Sequence, residues 1–307
     1  MSNRPYYRTP DPVLDMPPWE LDVTKRMPLL FVLDLNGTLL YRKKSSSRSR
    51  PFVKELLKYL IQHFYVMVWS SAEQQNVQLM VQRLFGEHQR LLVGRWDRAY
   101  CDLQRARPVP KRHDCDNPPT KREQDKARRK PLAVKDLSKI WDSHSQHPRS
   151  KPGKRGERPP IWMLRHALER VFDPQTRRPI KWHRGNTVIV DDSVDKVRGY
   201  AGNHIAVKDF EAHPDPNDND LQALLAYIQP INALLSDMRP NLVPRFNVTQ
   251  YFRDHPWAEF RAGFPLIEFI PTGEPRSPSD PAPATSPRPE RNTPDEKLQG
   301  IFDGVPI

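Results

Sequence analysis

Four short stretches carry side chains able to do chemistry together. Asp34 closes an apolar run and is followed at once by Asn36-Gly37-Thr38; Ser70 and Ser71 close a second run, and Asp191 and Asp192 close a third. Between the second and third, Lys135 sits within VKDLSK (134–139). Taken singly, a carboxylate at the end of a strand is a turn former or a helix cap. Taken together, carboxylates from two strand ends with a hydroxyl and a lysine have a different meaning. Two carboxylates, a backbone carbonyl and waters supply the hard oxygen donors that magnesium prefers.

These residues converge only if the strands lie side by side and point the same way. Residues 29–35 (LLFVLDL), 65–70 (YVMVWS) and 186–193 (NTVIVDDS) are continuous apolar runs, the signature of strands buried on both faces of a parallel sheet. Shorter strands are expected at 91–96 and 205–207. Phe52, Leu56, Leu57, Leu60, Ile61 and Phe64 fall at helical spacing behind Pro51, and Val77, Met80, Val81 and Leu84 do the same within 73–85. Further helices are expected at 161–172, 194–200 and 219–235. Strands alternating with helices predict an α/β fold with a doubly wound parallel sheet. In such sheets ligands bind beyond the carboxyl ends of the strands, where the polar groups collect.

Composition marks where the core stops. The chain has 307 residues and 34 prolines, of which six lie in 1–28, nine in 101–160 and nine in 271–307. The remainder has ordinary composition and is long enough for one sizeable core. This predicts a flexible segment at 1–26, a core domain over 27–235 with two basic insertions, a polar, irregular one at 102–133 and a second at 143–186, a packing segment at 236–270 and a disordered Pro/Ser-rich tail at 271–307. The aromatic-rich PWAEFRAGFPLIEFI (256–270) is expected to pack on the core, and SSSRSR (45–50) to be a polar loop.

The formal charge is +12, and 17 Lys/Arg against 8 Asp/Glu in 101–160 place +9 of it in that region. The basicity is therefore local, in KREQDKARRK (121–130) and KPGKRGER (151–158), without interleaved aromatics, and nucleic acid is not the expected partner. No run is long and apolar enough to span a bilayer, and no secretory or transit signal is read at the N-terminus. Two cysteines, Cys101 and Cys115, give no disulfide framework. Asn247-Val248-Thr249 matches a glycosylation acceptor by chance, and Ser277-Pro278, Ser286-Pro287 and Thr293-Pro294 offer sites for proline-directed kinases.

DLNGT (34–38), VWSSA (68–72), VKDLSK (134–139) and VIVDDS (188–193) resemble, in order and spacing, the four motifs of the haloacid dehalogenase superfamily. They look most like its FCP/NIF-like branch, the phosphatases of the RNA polymerase II carboxy-terminal domain. VKDLSK and the Arg50-Pro51 entry to the first helix point to that branch in particular. The resemblance implies a Rossmannoid, haloacid dehalogenase-like fold over 27–235 and a Mg²⁺-dependent phosphoprotein phosphatase, its substrate acidic if the basic insertions border the site. By the same resemblance Asp34 would be the nucleophile and form an aspartyl-phosphate, Ser70 would hold a phosphoryl oxygen, and Lys135 would neutralise charge. Asp34, the backbone carbonyl of Asn36, Asp191 and Asp192 would hold the metal, Asp192 directly or through water.

One position departs from the pattern. The phosphatases of this superfamily carry a second Asp two residues after the nucleophile, as general acid and base, and this chain has Asn36. An amide transfers no proton in either role, so activity is expected to be weakened unless His113, His144 or His166 replaces it. The alternative is a catalytically inactive binding module, such as the FCP-like subunit of the mitochondrial inner-membrane import translocase. A small-molecule phosphatase is disfavoured by the lack of a cap domain at the usual places. The expected compartment is the nucleus or cytoplasm, or the mitochondrial inner membrane under the alternative.

Overall fold

The computed structural model describes residues 12–17, 20–43, 46–104, 131–141, 171–173, 177–211, 215, 217–237 and 246–265. In chain order the first elements are β1 (Leu30–Leu33), β2 (Leu40–Lys43), β3 (Ser46–Ser49), α1 (Val53–His63), β4 (Tyr65–Trp69), α2 (Gln74–Phe85) and β5 (Gly94–Trp96). There follow β6 (Asp102–Gln104), β7 (Leu132–Val134), α3 (Ser138–Trp141), β8 (Thr187–Asp191) and β9 (His204–Ala206). Three helices complete the sequence: α4 (Asp220–Asp237), α5 (Val248–Asp254) and α6 (Trp257–Gly263).

Five strands form one parallel sheet in the order β5-β4-β1-β8-β9. β1 is central: Leu33 lies level with Val68 of β4 on one side and Val190 of β8 on the other. All residues of β1, β4 and β8 are buried, as their unbroken apolar runs require. Alternate residues serve opposite faces. Phe31 and Leu33 join a core with Leu56, Leu60, Val81, Leu84, Leu224 and Ile228, from α1, α2 and α4. Leu30 and Val32 face a second layer containing Trp69, Trp96, Leu137, Trp182 and Ile189. Helices and an aromatic layer thus cover the sheet on both sides, as expected of an α/β fold with a doubly wound parallel sheet.

The helix that delivers the chain into β4 follows its sequence closely. Val53, Leu56, Leu57, Leu60 and Ile61 are the buried stripe of α1, and the Phe64 amide, bonded to the Leu60 carbonyl, ends it one residue before the strand begins. In α2, Val77, Met80, Val81, Leu84 and Phe85 are buried in the same way. α4 extends from Asp220 to Asp237 with Pro230 inside it. α6 packs on α4, with Tyr227 meeting Trp257 and Phe260 at centroid distances of 5.3 and 5.1 Å. Trp257 Nε1 also donates to the Ala206 carbonyl of the edge strand, at 2.7 Å.

Several expectations are corrected. SSSRSR is not a loop throughout, because Ser46–Ser49 pairs antiparallel with Leu40–Lys43. Its polar residues carry no period-2 signal; the ladder is anchored by the buried Leu40, level with Ser49. The ends of 102–133 are not irregular either, for Asp102–Gln104 and Leu132–Val134 form a two-stranded ribbon. Residues 194–200 hold a single 3-10 turn, Val194–Lys196, in place of a helix. The strand expected at 91–96 is confined to Gly94–Trp96, after a 3-10 segment Gly86–Leu91. Of the helix expected over 161–172, residues 161–170 lie outside the described residues and its end is not helical, Phe172 forming an isolated bridge with Pro179; the basic runs 121–130 and 151–158, His113, His144, His166, Cys115 and the tail 271–307 also lie outside them.

Candidate active site

Asp34 follows β1 directly, and its amide donates to the Val190 carbonyl of β8 at 3.0 Å, fixing Asp34 against the neighbouring strand end. Asp191 ends β8, and Ser70 follows β4 with its amide on the Trp96 carbonyl at 3.0 Å. Asp34, Ser70 and Asp191 are all buried. One oxygen from each of Asp34, Asp191 and Asp192 lies within 4.8 Å of the others. An all-oxygen donor set of this spacing suits a hard divalent cation, so the residues fit magnesium.

Lys135 reaches this cluster because of local structure on both sides of it. The β6–β7 ribbon ends at Val134, the Lys135 amide donates to the Lys196 carbonyl at 2.7 Å, and Asp136 Oδ1 accepts from the Ser138 amide at 3.0 Å to open α3. Leu137 anchors the segment in the aromatic layer. The Lys135 side chain is fully buried, with Nζ 2.5 Å from Asp191 Oδ2 and 3.1 Å from Asp34 Oδ1. Burial works against its charge, but Asp191 and Asp34 outweigh that and hold its pKa above the ordinary lysine value.

A second lysine, which the motif pattern did not disclose, completes the cluster. Lys196 Nζ lies 3.5 Å from Asp34 Oδ2, 3.6 Å from Asp191 Oδ1 and 3.4 Å from Asp192 Oδ1. Its spacing was the available signal: Lys196 stands four residues after Asp192, one turn on from a strand-ending pair of acids. Burial disfavours the Asp34 anion, but the charges of Lys135 and Lys196 prevail and hold its pKa below the usual carboxylate range. Asp192 goes the other way. Burial, assisted by Asp34, Asp191 and Asp209, pushes it up to about 6 against the pull of Lys196.

The loop after Asp34 is tied to the end of β8 by Thr38, whose hydroxyl donates to Asp192 Oδ1 and accepts from the Asp192 amide, each at 3.1 Å. Gly37 has φ +95°, and a Cβ there would stand 2.8 Å from Asp209 Oδ1 and 3.0 Å from Asp192 Cγ. Asp209 is thus a further carboxylate at the mouth, and its place just beyond β9 follows the same strand-end rule as the others. Arg50 braces the loop from behind, its guanidinium on Asp218, Asp220 and the Thr38 carbonyl.

Asn36 stands apart from the carboxylates in what it does. Its side chain is exposed and its Oδ1 accepts from the Arg42 amide of β2 at 2.6 Å, so the amide secures the turn into the β2–β3 hairpin. The structure therefore brings Asp34, Lys135, Asp191 and Asp192 into direct contact through the lysines and places Ser70 on the adjoining strand end. Asn36 occupies the same turn with its oxygen engaged by the backbone.

The fold and the site can be set beside known proteins. The family model for NLI interacting factor-like phosphatases matches residues 29–147 and 170–239, which include all four motifs. An FCP1 homology domain-containing protein of Schizosaccharomyces pombe is 31% identical over 221 residues, covering 67% of this chain and 72% of its own. The solved structure of Fcp1, described as an essential RNA polymerase II CTD phosphatase, aligns at 11% identity with a TM-score of 0.42, over 77% of this chain and 72% of that one. A structure of fission yeast Fcp1 bound to beryllium fluoride aligns at 10% identity and a TM-score of 0.42, over 75% and 71%. On the family match and the fission yeast relative, the chain belongs to the NLI interacting factor-like phosphatase family, the FCP1 homology branch of the haloacid dehalogenase superfamily.

Proposed function

We propose that this protein is a magnesium-dependent phosphoprotein phosphatase that works through an aspartyl-phosphate on Asp34 and is slowed by Asn36. The observation that carries the reading is the Asp34 carboxylate: buried at a strand end, held ionised by Lys135 and Lys196, and level with a second pair of carboxylates. In the first half-reaction an Asp34 oxygen attacks phosphorus as the bond to the substrate oxygen breaks, and the leaving oxygen takes the electron pair. Ser70 donates to a phosphoryl oxygen and Lys135 offsets the charge gathered on the nucleophile and phosphate. Asp34, the Asn36 carbonyl, Asp191 and Asp192 would hold magnesium, which when bound lowers the repulsion between the carboxylate and the incoming dianion.

In the second half-reaction water attacks the acyl phosphate and must lose a proton. Asn36 can neither give a proton to the leaving oxygen nor take one from this water, and its oxygen is already engaged by the Arg42 amide. An aspartate would keep that bond with one oxygen and have the other for proton transfer. Position 36 therefore sets the rate, by roughly 10²–10⁴-fold if the usual contribution of a general acid–base applies. Aryl phosphates, whose oxygens leave with little protonation, are the substrates least penalised.

A second reading, a catalytically inactive binding module, is favoured by the same tethered Asn36 and by the ammonium of Lys196 among the carboxylates. Magnesium-dependent hydrolysis of p-nitrophenyl phosphate and of a phosphoserine peptide by wild type, Asp34→Asn and Asn36→Asp separates the two. The phosphatase reading expects wild type to exceed Asp34→Asn on the aryl substrate and Asn36→Asp to exceed wild type on both. Wild type equal to Asp34→Asn, with a folded but inactive Asn36→Asp, establishes the binding module.

A further inference from the structure

We infer that Lys196 is the resident cation of the carboxylate cluster, and that a divalent ion enters only by displacing it. The inference rests on the metal-binding part of the reading above. The two lysines divide the carboxylate oxygens between them. Lys135, wholly buried, takes Asp34 Oδ1 and Asp191 Oδ2 from below. Lys196 faces the second oxygens of Asp34 and Asp191, Asp34 Oδ2 and Asp191 Oδ1, together with Asp192 Oδ1, at 3.4–3.6 Å.

Those near-equal distances are longer than a direct charge-assisted hydrogen bond, so the ammonium is shared among three carboxylates and not committed to one. A magnesium ion bound through these oxygens would sit at about 2.1 Å from each. On the face of the cluster that the ammonium occupies it would lie within contact range of Nζ, so the two cations compete for that face.

Lys196 is also built to leave. Its side chain is 18% exposed where that of Lys135 is 0%. Its backbone is fixed by the 3-10 turn, with its amide on the Ser193 carbonyl at 3.2 Å and its carbonyl on the Lys135 amide at 2.7 Å. Only the side chain need swing. Lys196 therefore sets the affinity of the cluster for divalent ions without being required for its construction.

Calorimetric titration of the full-length protein with Mn²⁺ and with Mg²⁺ tests this. Lys196→Gln should bind each ion at least about tenfold more tightly than wild type, as expected when a like charge a few ångström away is removed. Lys196→Arg, which keeps the cation, should bind as weakly as wild type. Equal affinity in wild type and Lys196→Gln overturns the inference and leaves the metal-binding reading standing; no binding by any of the three overturns both. A measurement on wild type is independent of how the variants fold. Acetic anhydride labelling read by peptide mass spectrometry should rise several-fold at Lys196 when Mn²⁺ is added, with Lys135 still protected, and unchanged labelling at Lys196 contradicts displacement.

Discussion

Burying Asp34 and Asp191 is tolerable because Lys135 lies between them, 3.1 and 2.5 Å away, with Lys196 against their other oxygens. Lys135→Met keeps the volume and removes the charge, which leaves the two buried carboxylates with only Lys196, at 3.5–3.6 Å, to offset them. The expected cost is about 3–5 kcal/mol. Thermal unfolding should show it as a midpoint lower by roughly 10 °C for a domain of this size. Asp192 carries a different signature. Its pKa is about 6 in the folded protein against 3.8 for the free residue, so between those values the folded state holds a proton that the unfolded state has lost. Stability therefore falls as pH rises through that interval. Metal-free Asp192→Asn should lack this fall, and its melting point should gain on wild type from about pH 4 to about pH 6 and then level off. A constant difference across that range would refute the raised pKa. Asp34, Ser70, Asp191 and Asp192 were legible in sequence because each closes an apolar run. Lys196 was not, since a lysine one turn beyond two acids is also an ordinary surface pair, and only burial shows otherwise.

At the scale of elements, the loop between β1 and β2 is the most constrained part of the site. Thr38 stitches it to Asp192, Arg50 holds its carbonyl, and Gly37 allows the close pass beneath Asp192 and Asp209. Gly37→Ala puts an L side chain at φ +95° and a methyl group against both carboxylates. We expect it to cost at least about 1–2 kcal/mol from backbone strain alone. Denaturant unfolding would show this as a lower midpoint at unchanged slope, and an unaltered midpoint would mean that the loop relaxes freely. The central strands of the sheet were readable as unbroken apolar runs, and the helices by their 3.6-residue period. β2, β3, β6 and β7 were missed for the complementary reason: they are stretches of three or four residues, too short to show a pattern, whose partners are fixed by pairing. The ribbon of β6 and β7 has particular weight, because it sets where Lys135 enters the cluster.

Across the whole molecule, the sheet order brings together residues far apart in the chain. β1 has β4 on one side and β8 on the other, so Asp34 meets Asp191 although an entire chain of elements intervenes. No periodicity in the sequence encodes that adjacency; the resemblance of the four motifs supplied it. Of the basic region 101–160, the described structure includes residues 101–104 and 131–141, among them the strand that introduces Lys135. No helix among the described residues is long and apolar enough to cross a membrane. The central claim joins all three scales: a nucleophile correctly placed, with the step that should release its phosphate impaired by one amide. Wild type and Asn36→Asp should be incubated with magnesium and p-nitrophenyl phosphate, quenched in acid and mapped by peptide mass spectrometry. The account predicts a phosphoryl group on Asp34 in wild type that persists after substrate is removed, and faster loss of that group with higher turnover in Asn36→Asp. An Asp34 peptide that is never phosphorylated in either protein would contradict it.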